Sequence, residues 1–340
     1  MAEQQGSVHW GVLSTARIST KVSAAIREAN GAELLAVGSR SKPRAAAWAA
    51  EHHASRIYGS YIEVLEDDDV DAVYIPLPPS MHKEWTIEAA ERGKHVLCEK
   101  PLALDAEEAR EMAAACKANG VQLMDGVMWV HHPRAADMHD PISDGTLGEL
   151  RRVTSAFTFN WDVIPESDLR LSRDLGGGSL LDLGWYCVRA TLWAFSDMPL
   201  RVYGTAKYYN DVDLSFSGTM WFDGDRVASF DCGFNNGMRK WLEVSGTRGS
   251  LVCDDFTKAW DANRPRFWVH DGTGKSEEHV SATPIQEICM IEEFCRIVRS
   301  GRLVERWPAT AIATQIVCDA LDTSARTRKP VDVRIESASS

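Results

Sequence analysis

The feature that most constrains this chain is a change of hydrophobic period shortly after residue 130. From Val8 to about Asp125, apolar runs of strand length alternate with segments of helical period, the pattern of a parallel sheet covered by helices. Strands are predicted at Trp10–Leu13, Glu33–Gly38, Ala72–Ile75, His95–Cys98 and Gln122–Met124, with helices at Thr20–Ala29, Pro43–His53, His82–Arg92 and Ala106–Lys117. The last helix is the best marked: Asp105 and Glu108 form an N-cap pair, and Ala109, Met112, Ala113 and Cys116 fall on one face. Beyond His131-His132-Pro133 the period becomes two, with Val153, Ser155, Phe157, Phe159 and Trp161 on one side and Thr154, Ala156, Thr158 and Asn160 on the other. The alternation recurs at Leu214–Phe222 and Val227–Phe234, and shorter strands are predicted at Trp241–Val244, Ser250–Cys253 and Phe267–His270. Helices are predicted at Gly178–Phe195, Ile285–Val298 and Thr310–Thr327.

At 340 residues the chain exceeds the size of one ordinary core. The expected fold is α/β: a dinucleotide-binding domain over 8–128 built on a doubly wound parallel sheet of Rossmann type, then an α+β domain over 129–335 with a large, mostly antiparallel open sheet. The formal charge of −12 opposes binding to nucleic acid or to anionic membranes, and no basic run offsets it locally. The start of the chain has no secretory pattern, no apolar stretch is long enough to span a bilayer, and eight scattered cysteines lack a Cys-x-x-Cys pair. A reducing cytoplasm is the expected location. Disorder is expected at Met1–Ser7 and Ser337–Ser340. The outer face of the second sheet mixes Thr, Ser and aromatics, so a homodimer or homotetramer through it is expected.

The first strand runs into Ser14-Thr15-Ala16-Arg17-Ile18-Ser19 and then a helix. A Rossmann domain places its glycine loop here; in this chain small residues replace all three glycines. The helix N-terminus still offers N–H groups to a pyrophosphate, and Ser14 and Thr15 add hydroxyls. At the end of the second strand an NAD site carries an acid for the ribose 2′-hydroxyl. This chain instead reads Val37-Gly38-Ser39-Arg40-Ser41-Lys42. Arg40 can pair with a 2′-phosphate and stack on adenine, with Ser39 donating a hydrogen bond, so NADP is expected rather than NAD.

The segments Ile75-Pro76-Leu77-Pro78-Pro79-Ser80-Met81-His82 and Gly93-Lys94-His95-Val96-Leu97-Cys98-Glu99-Lys100-Pro101-Leu102 resemble the Gfo/Idh/MocA oxidoreductases. The likeness covers nearly the whole chain and sides with the branch of glucose-fructose oxidoreductase, dimeric dihydrodiol dehydrogenase and NADP-dependent xylose dehydrogenase. It implies that Lys100, at the carboxyl end of a parallel strand, faces nicotinamide and substrate, that the next peptide bond is cis, and that Leu77, Pro78, His82 and Glu99 belong to the cofactor site. Leu175-Gly176-Gly177-Gly178-Ser179-Leu180-Leu181-Asp182-Leu183-Gly184-Trp185-Tyr186 carries the second cluster. Asp182 and Tyr186, four residues apart, share a helix face, and the resemblance makes them catalytic. Trp129-Val130 stands where relatives often show Tyr-Arg. Met124–Arg134 is also similar to a branch of plant and bacterial homologues without a settled activity.

The resemblance implies reversible hydride transfer between nicotinamide and a secondary alcohol or carbonyl of a sugar-like or diol substrate. Either Tyr186, its pKa lowered by the Lys100 charge, or Lys100 itself exchanges the hydroxyl proton, while Asp182 fixes substrate hydroxyls or orients the pair. Trp129, Trp161 and Arg170 are candidate substrate contacts, the indoles because they stack on the apolar face of a sugar. The rival readings are an NAD(P)-assisted glycosidase, a sugar–sugar oxidoreductase with tightly held cofactor, and a non-catalytic NADP sensor. His131, His132, Asp137, His139 and Asp140 fit no compact metal site, and no metal is expected.

Overall fold

The computed structural model describes residues 6–333. Of the ends expected to be disordered, only Gly6 and Ser7 lie inside that range, and both are exposed. Contacts divide the chain into two units. The first takes the chain up to His132 together with Pro284–Ile312; the second takes Pro133–Thr283 and the chain from Ala313 onward.

In the first unit β1 (Val8–Leu13), β2 (Ala32–Gly38), β3 (Arg56–Tyr58), β4 (Ala72–Ile75), β5 (His95–Cys98) and β6 (Leu123–Asp125) make a parallel sheet in the order β3-β2-β1-β4-β5-β6. The connecting helices are α1 (Arg17–Glu28), α2 (Lys42–His52), α3 (Tyr61–Leu65), α4 (His82–Glu91) and α5 (Ala106–Ala118). Strand order reverses at β1, which pairs with β2 on one side and β4 on the other. In such sheets the ligand crevice opens at the carboxyl ends of the strands beside this reversal. The cap at Asp105 forms as its spacing predicts: Oδ1 accepts the Glu108 N–H at 2.9 Å. The short strand β3 is absent from the sequence reading because its three residues are all half-buried and carry no apolar alternation.

The second unit opens with α6 (Pro133–Ser143) and is built on a nine-stranded sheet. Its strands are β7 (Leu150–Asn160), β8 (Arg201–Tyr209), β9 (Val212–Trp221), β10 (Val227–Gly233), β11 (Asn235–Gly246), β12 (Gly249–Cys253), β13 (Arg266–Asp271), β14 (Ser276–Val280) and β15 (Val331–Asp332). They lie in the order β14-β13-β12-β11-β7-β10-β9-β8-β15, and β7 with β10 is the parallel pair among antiparallel ones. The helix α7 (Trp185–Phe195) packs on β7 and β10, burying Trp185, Cys187, Val188 and Arg189. Strands β8, β14 and β15 escaped the sequence reading. β14 is polar on both faces, and β8 carries Gly204 where Phe216 of β9 needs the room of a side chain.

Two helices follow β14 and precede β15, α8 (Gln286–Ser300) and α9 (Arg306–Thr327). The expected boundary assigns α8 to the second domain, but α8 packs within the first unit. Met290, Ile291 and Phe294 are fully buried there, and the Phe294 ring sits 4.9 Å from Trp10 of β1. Each such side chain contributes about 2 kcal/mol on burial. Glu292 accepts from both the backbone N–H and the side-chain amide of Asn30, at 3.0 and 2.6 Å. Lys21 of α1 pairs with the buried Glu287. Amphipathic periodicity shows that a helix has an apolar face; it does not show which sheet that face meets. Among the described residues no helix is long and apolar enough to cross a membrane.

Candidate functional site

The turn after β1 leads directly into a helix N-terminus. Helix α1 begins at Arg17, three residues before the predicted start, with Ala16 as an N-cap that supplies no side-chain acceptor and no acid in the first turn. Its leading N–H groups therefore face no carboxylate of their own, which is the donor set a pyrophosphate requires. The Ser14 hydroxyl accepts the Ala16 N–H at 3.1 Å, bracing the turn. Thr15 and Ile18 are half-buried and Arg17 is exposed. At the end of β2, Ser39 is buried and Arg40 exposed, with no acid in the turn. These residues fit a dinucleotide, and the cation at Arg40 fits an additional phosphate.

Lys100 follows the carboxyl end of β5, half-buried, and its bond to Pro101 is cis. The groups around it serve the loop. Glu99 is buried; its Oε1 accepts the Tyr74 hydroxyl at 2.6 Å and its Oε2 the Lys100 N–H at 3.2 Å. Burial pushes the Glu99 carboxyl above its ordinary range, against the pull of Tyr74 and Lys100. His82 is fully buried at the start of α4. Its Nε2 faces the Leu77 carbonyl at 2.8 Å, and its Nδ1 faces those of Pro101 and Leu102 at 3.0 and 3.2 Å. Burial lowers its pKa and outweighs all three carbonyls, which pull it up. His82 and Glu99 were expected to contact cofactor. Within the chain His82 joins the loop after β4 to the loop that carries Lys100, Glu99 joins that loop to Tyr74 of β4, and Pro78, half-buried, is more open than the buried Leu77.

The helix bearing the second cluster starts as a π turn, Leu180–Gly184, and becomes α-helical at Trp185. A single π turn inside a helix is frequently a functional feature. Gly184 permits it, because a Cβ there would crowd Leu180, Cys232 and Phe230. Asp182 lies in the π turn and Tyr186 in the first α turn. The Asp182 Oδ2 accepts from Arg170 Nε at 2.7 Å, and Arg170 Nη1 reaches Asp168 at 3.2 Å. Asp182 pushes the Arg170 guanidinium further up, so it stays charged and fixes the carboxylate's orientation. Tyr186 is half-buried with its ring edge-on to Phe157, 5.3 Å between centroids. Arg170, singled out as a substrate contact, is thus joined to Asp182 by a direct ion pair.

The two tryptophans fare differently. Trp129 is only 2% exposed, in a 3₁₀ turn packed on α8, so its ring has no open face to offer a sugar. Trp161 is half-buried, its ring tilted against Phe234 with 4.4 Å between centroids. Asp213, which sequence reasoning passed over, proves to hold the helix of Asp182 and Tyr186. A single acid in an alternating strand carries no motif. Among the described residues no group of three or more His, Cys, Asp and Glu side chains comes together as a metal site.

Comparison with known proteins agrees with this architecture. The model of the Gfo/Idh/MocA oxidoreductase family, NAD-binding Rossmann fold, matches residues 8–127, and that of the Gfo/Idh/MocA C-terminal domain matches 136–252. A D-xylose 1-dehydrogenase (NADP(+)) of Haloferax volcanii is 34% identical over 95% of this chain and 99% of its own. The human trans-1,2-dihydrobenzene-1,2-diol dehydrogenase is 31% identical over 72% of this chain and 73% of its own. The crystal structure of a 3-ketoreductase from Actinomadura kijaniata, in complex with NADP and TDP-benzene, superposes with a TM-score of 0.87 at 28% identity, covering 94% of this chain and 98% of that one. With both domain models matched in order and full-length relatives above 30% identity, the chain belongs to the Gfo/Idh/MocA oxidoreductase family.

Proposed function

We propose that this protein is an NADP-dependent dehydrogenase or reductase acting on a secondary alcohol or carbonyl of a sugar-like or diol substrate. The observation that carries the reading is Lys100 at the carboxyl end of β5, on a loop braced by His82 and Glu99, in a sheet whose order reverses at β1. NADP, when bound, supplies or accepts the hydride. The N-terminal N–H groups of α1 and the hydroxyls of Ser14 and Thr15 hold its pyrophosphate, and Arg40 with Ser39 holds the 2′-phosphate. Tyr186 gives a proton to the substrate oxygen on reduction and takes it back on oxidation. The Lys100 ammonium stabilises negative charge that develops on the substrate. Asp182, oriented by Arg170, accepts from neighbouring substrate hydroxyls.

Relatives named for D-xylose, a deoxysugar nucleotide and a dihydrodiol support the substrate class. The test is a panel of aldoses, polyols and dihydrodiols with NADP, run beside the same panel with NAD, following the reduced nicotinamide by absorbance. Turnover with at least one sugar or diol and a preference for NADP are expected. No turnover anywhere in the panel, or equal rates with NAD, contradicts the reading.

We also propose self-association through the outer face of the nine-stranded sheet. Thr205, Ser217, Asp231, Ala156 and Trp241 form one cross-strand row there, mostly small side chains beside an exposed indole. A molar mass above that of the monomer by light scattering at micromolar concentration is expected.

A further inference from the structure

The helix carrying Asp182 and Tyr186 has no side-chain cap of its own, although Ser179 stands in the capping position. The acceptor is imported from β9. Asp213 Oδ2 takes hydrogen bonds from the Ser179 hydroxyl at 2.6 Å and from the Leu180 N–H at 2.7 Å. Ser179 is fully buried and Asp213 is 7% exposed. The carboxylate lies so close to the chain that a Cβ on residue 178 would overlap Asp213 Oδ1, and Gly178 adopts φ +114°, a region side chains avoid. From β10, the Cys232 thiol donates to the Ser179 carbonyl at 3.3 Å and closes the turn from another side.

A serine cap would satisfy the same N–H without burying a charge, and a buried charge is costly unless fully paired. What the distant carboxylate adds is geometry, because two donors from consecutive residues on one oxygen fix both the height and the roll of the first turn relative to the sheet. A second fastener holds the approach to the glycines, but at the surface. Arg173 lies 3.4 Å from Asp211 and 3.8 Å from Asp322, and Arg326 bonds both acids. Exposed pairs of that kind hold weakly.

We propose that Asp213 is a positioning residue of the candidate catalytic helix, setting the turn from which Asp182 and Tyr186 project without itself touching substrate. This rests on the reading of those two residues as the ones that handle substrate.

The test compares Asp213→Ala and Asp213→Asn in the full chain. The readouts are kcat and KM on a substrate from the panel, NADP affinity by fluorescence, and amide hydrogen exchange over 179–184. Asp213→Ala is expected to lower kcat by roughly 10- to 100-fold, the scale of a displaced catalytic group. NADP affinity should stay close to native, substrate KM should rise as Asp182 loses its position, and exchange at 179–184 should accelerate at least tenfold. Asp213→Asn keeps an acceptor oxygen and is expected to restore most of both. Native kcat with native exchange in Asp213→Ala overturns the proposal. So does an Asp213→Asn enzyme as slow as Asp213→Ala with unchanged exchange, because that marks a proton-transferring group. If the alanine chain does not fold, Asp213→Ser replaces it with the same outcomes. Tyr186→Phe is run in parallel: its full activity would remove the functional reading alone, since exchange at 179–184 reports on Asp213 without reference to turnover.

Discussion

The Lys100 loop of the first unit and the helix of Asp182 and Tyr186 in the second are both built around a buried titratable side chain, and they use it in opposite ways. His82 works on backbone carbonyls and stitches together two loops that the parallel sheet already places side by side. Asp213 works on a helix N-terminus and reaches it from a strand 34 residues along the chain. Sheet topology delivers the first geometry almost unaided, so a short stretch of sequence reports on it. Long-range polar contacts deliver the second, so its key residue is invisible until the chain is folded.

The largest effect that could break this comparison lies at Lys100. If its role is chemical and the loop is held by His82 and Glu99, Lys100→Met is expected to lower kcat by roughly 10³-fold while NADP binds with near-native affinity. Retained turnover, measured in the same assay as the panel, would remove Lys100 from the reaction. Arg40 comes next. Arg40→Ser should cut the preference for NADP over NAD by about 10- to 100-fold in kcat/KM, the worth of a charge-assisted phosphate contact. An unchanged preference would make Arg40 a solvated turn residue.

The smallest effect sharpens the comparison most, because the two buried groups respond to pH with opposite sign. Burial raises the Asp213 pKa to about 6, with Asp322 of α9 adding repulsion. An unfolded Asp titrates near 3.9, so between these values the folded state binds the proton and the unfolded state does not. The native chain therefore gains stability relative to Asp213→Asn as pH falls from 7 to 4, by up to about 3 kcal/mol. The pKa of His82 is lowered instead, so below about pH 6.5 the unfolded state takes up the proton first. The native chain should lose stability relative to His82→Gln over the same acid range. Thermal melts of the three chains across that range read both trends; parallel trends in the two variants would contradict the burial of one of the two groups.

Much of the fold was legible because periodicity speaks directly of burial. The parallel strands β1, β2, β4, β5 and β6 are continuous apolar runs, and β7, β9 and β10 alternate along their length. β3, with Arg56 paired to Asp67 and Asp69, is held by charge at the sheet edge and has no such pattern. Of the candidate site, Lys100, Asp182, Tyr186 and the α1 turn were readable from motif and position. His82 and Glu99 were readable as members of the cofactor site but not as braces of the loop, because a motif records which residues matter without saying which contacts within the chain they make. The packing of Trp129 was not legible for a related reason: an indole after a strand end reads the same whether it lines a cleft or, as here, is buried in a turn packed on α8.

The central claim, that this chain moves hydride between NADP and a sugar-like or diol substrate, is tested most directly by isotope transfer. The carbonyl form of a substrate active in the panel is incubated with NADPH deuterated at the reactive carbon of the nicotinamide, and the product is analysed by mass spectrometry and NMR. One deuterium bound to the former carbonyl carbon, from one face of the nicotinamide only, is the predicted result. Product formed without deuterium at that carbon would contradict the account.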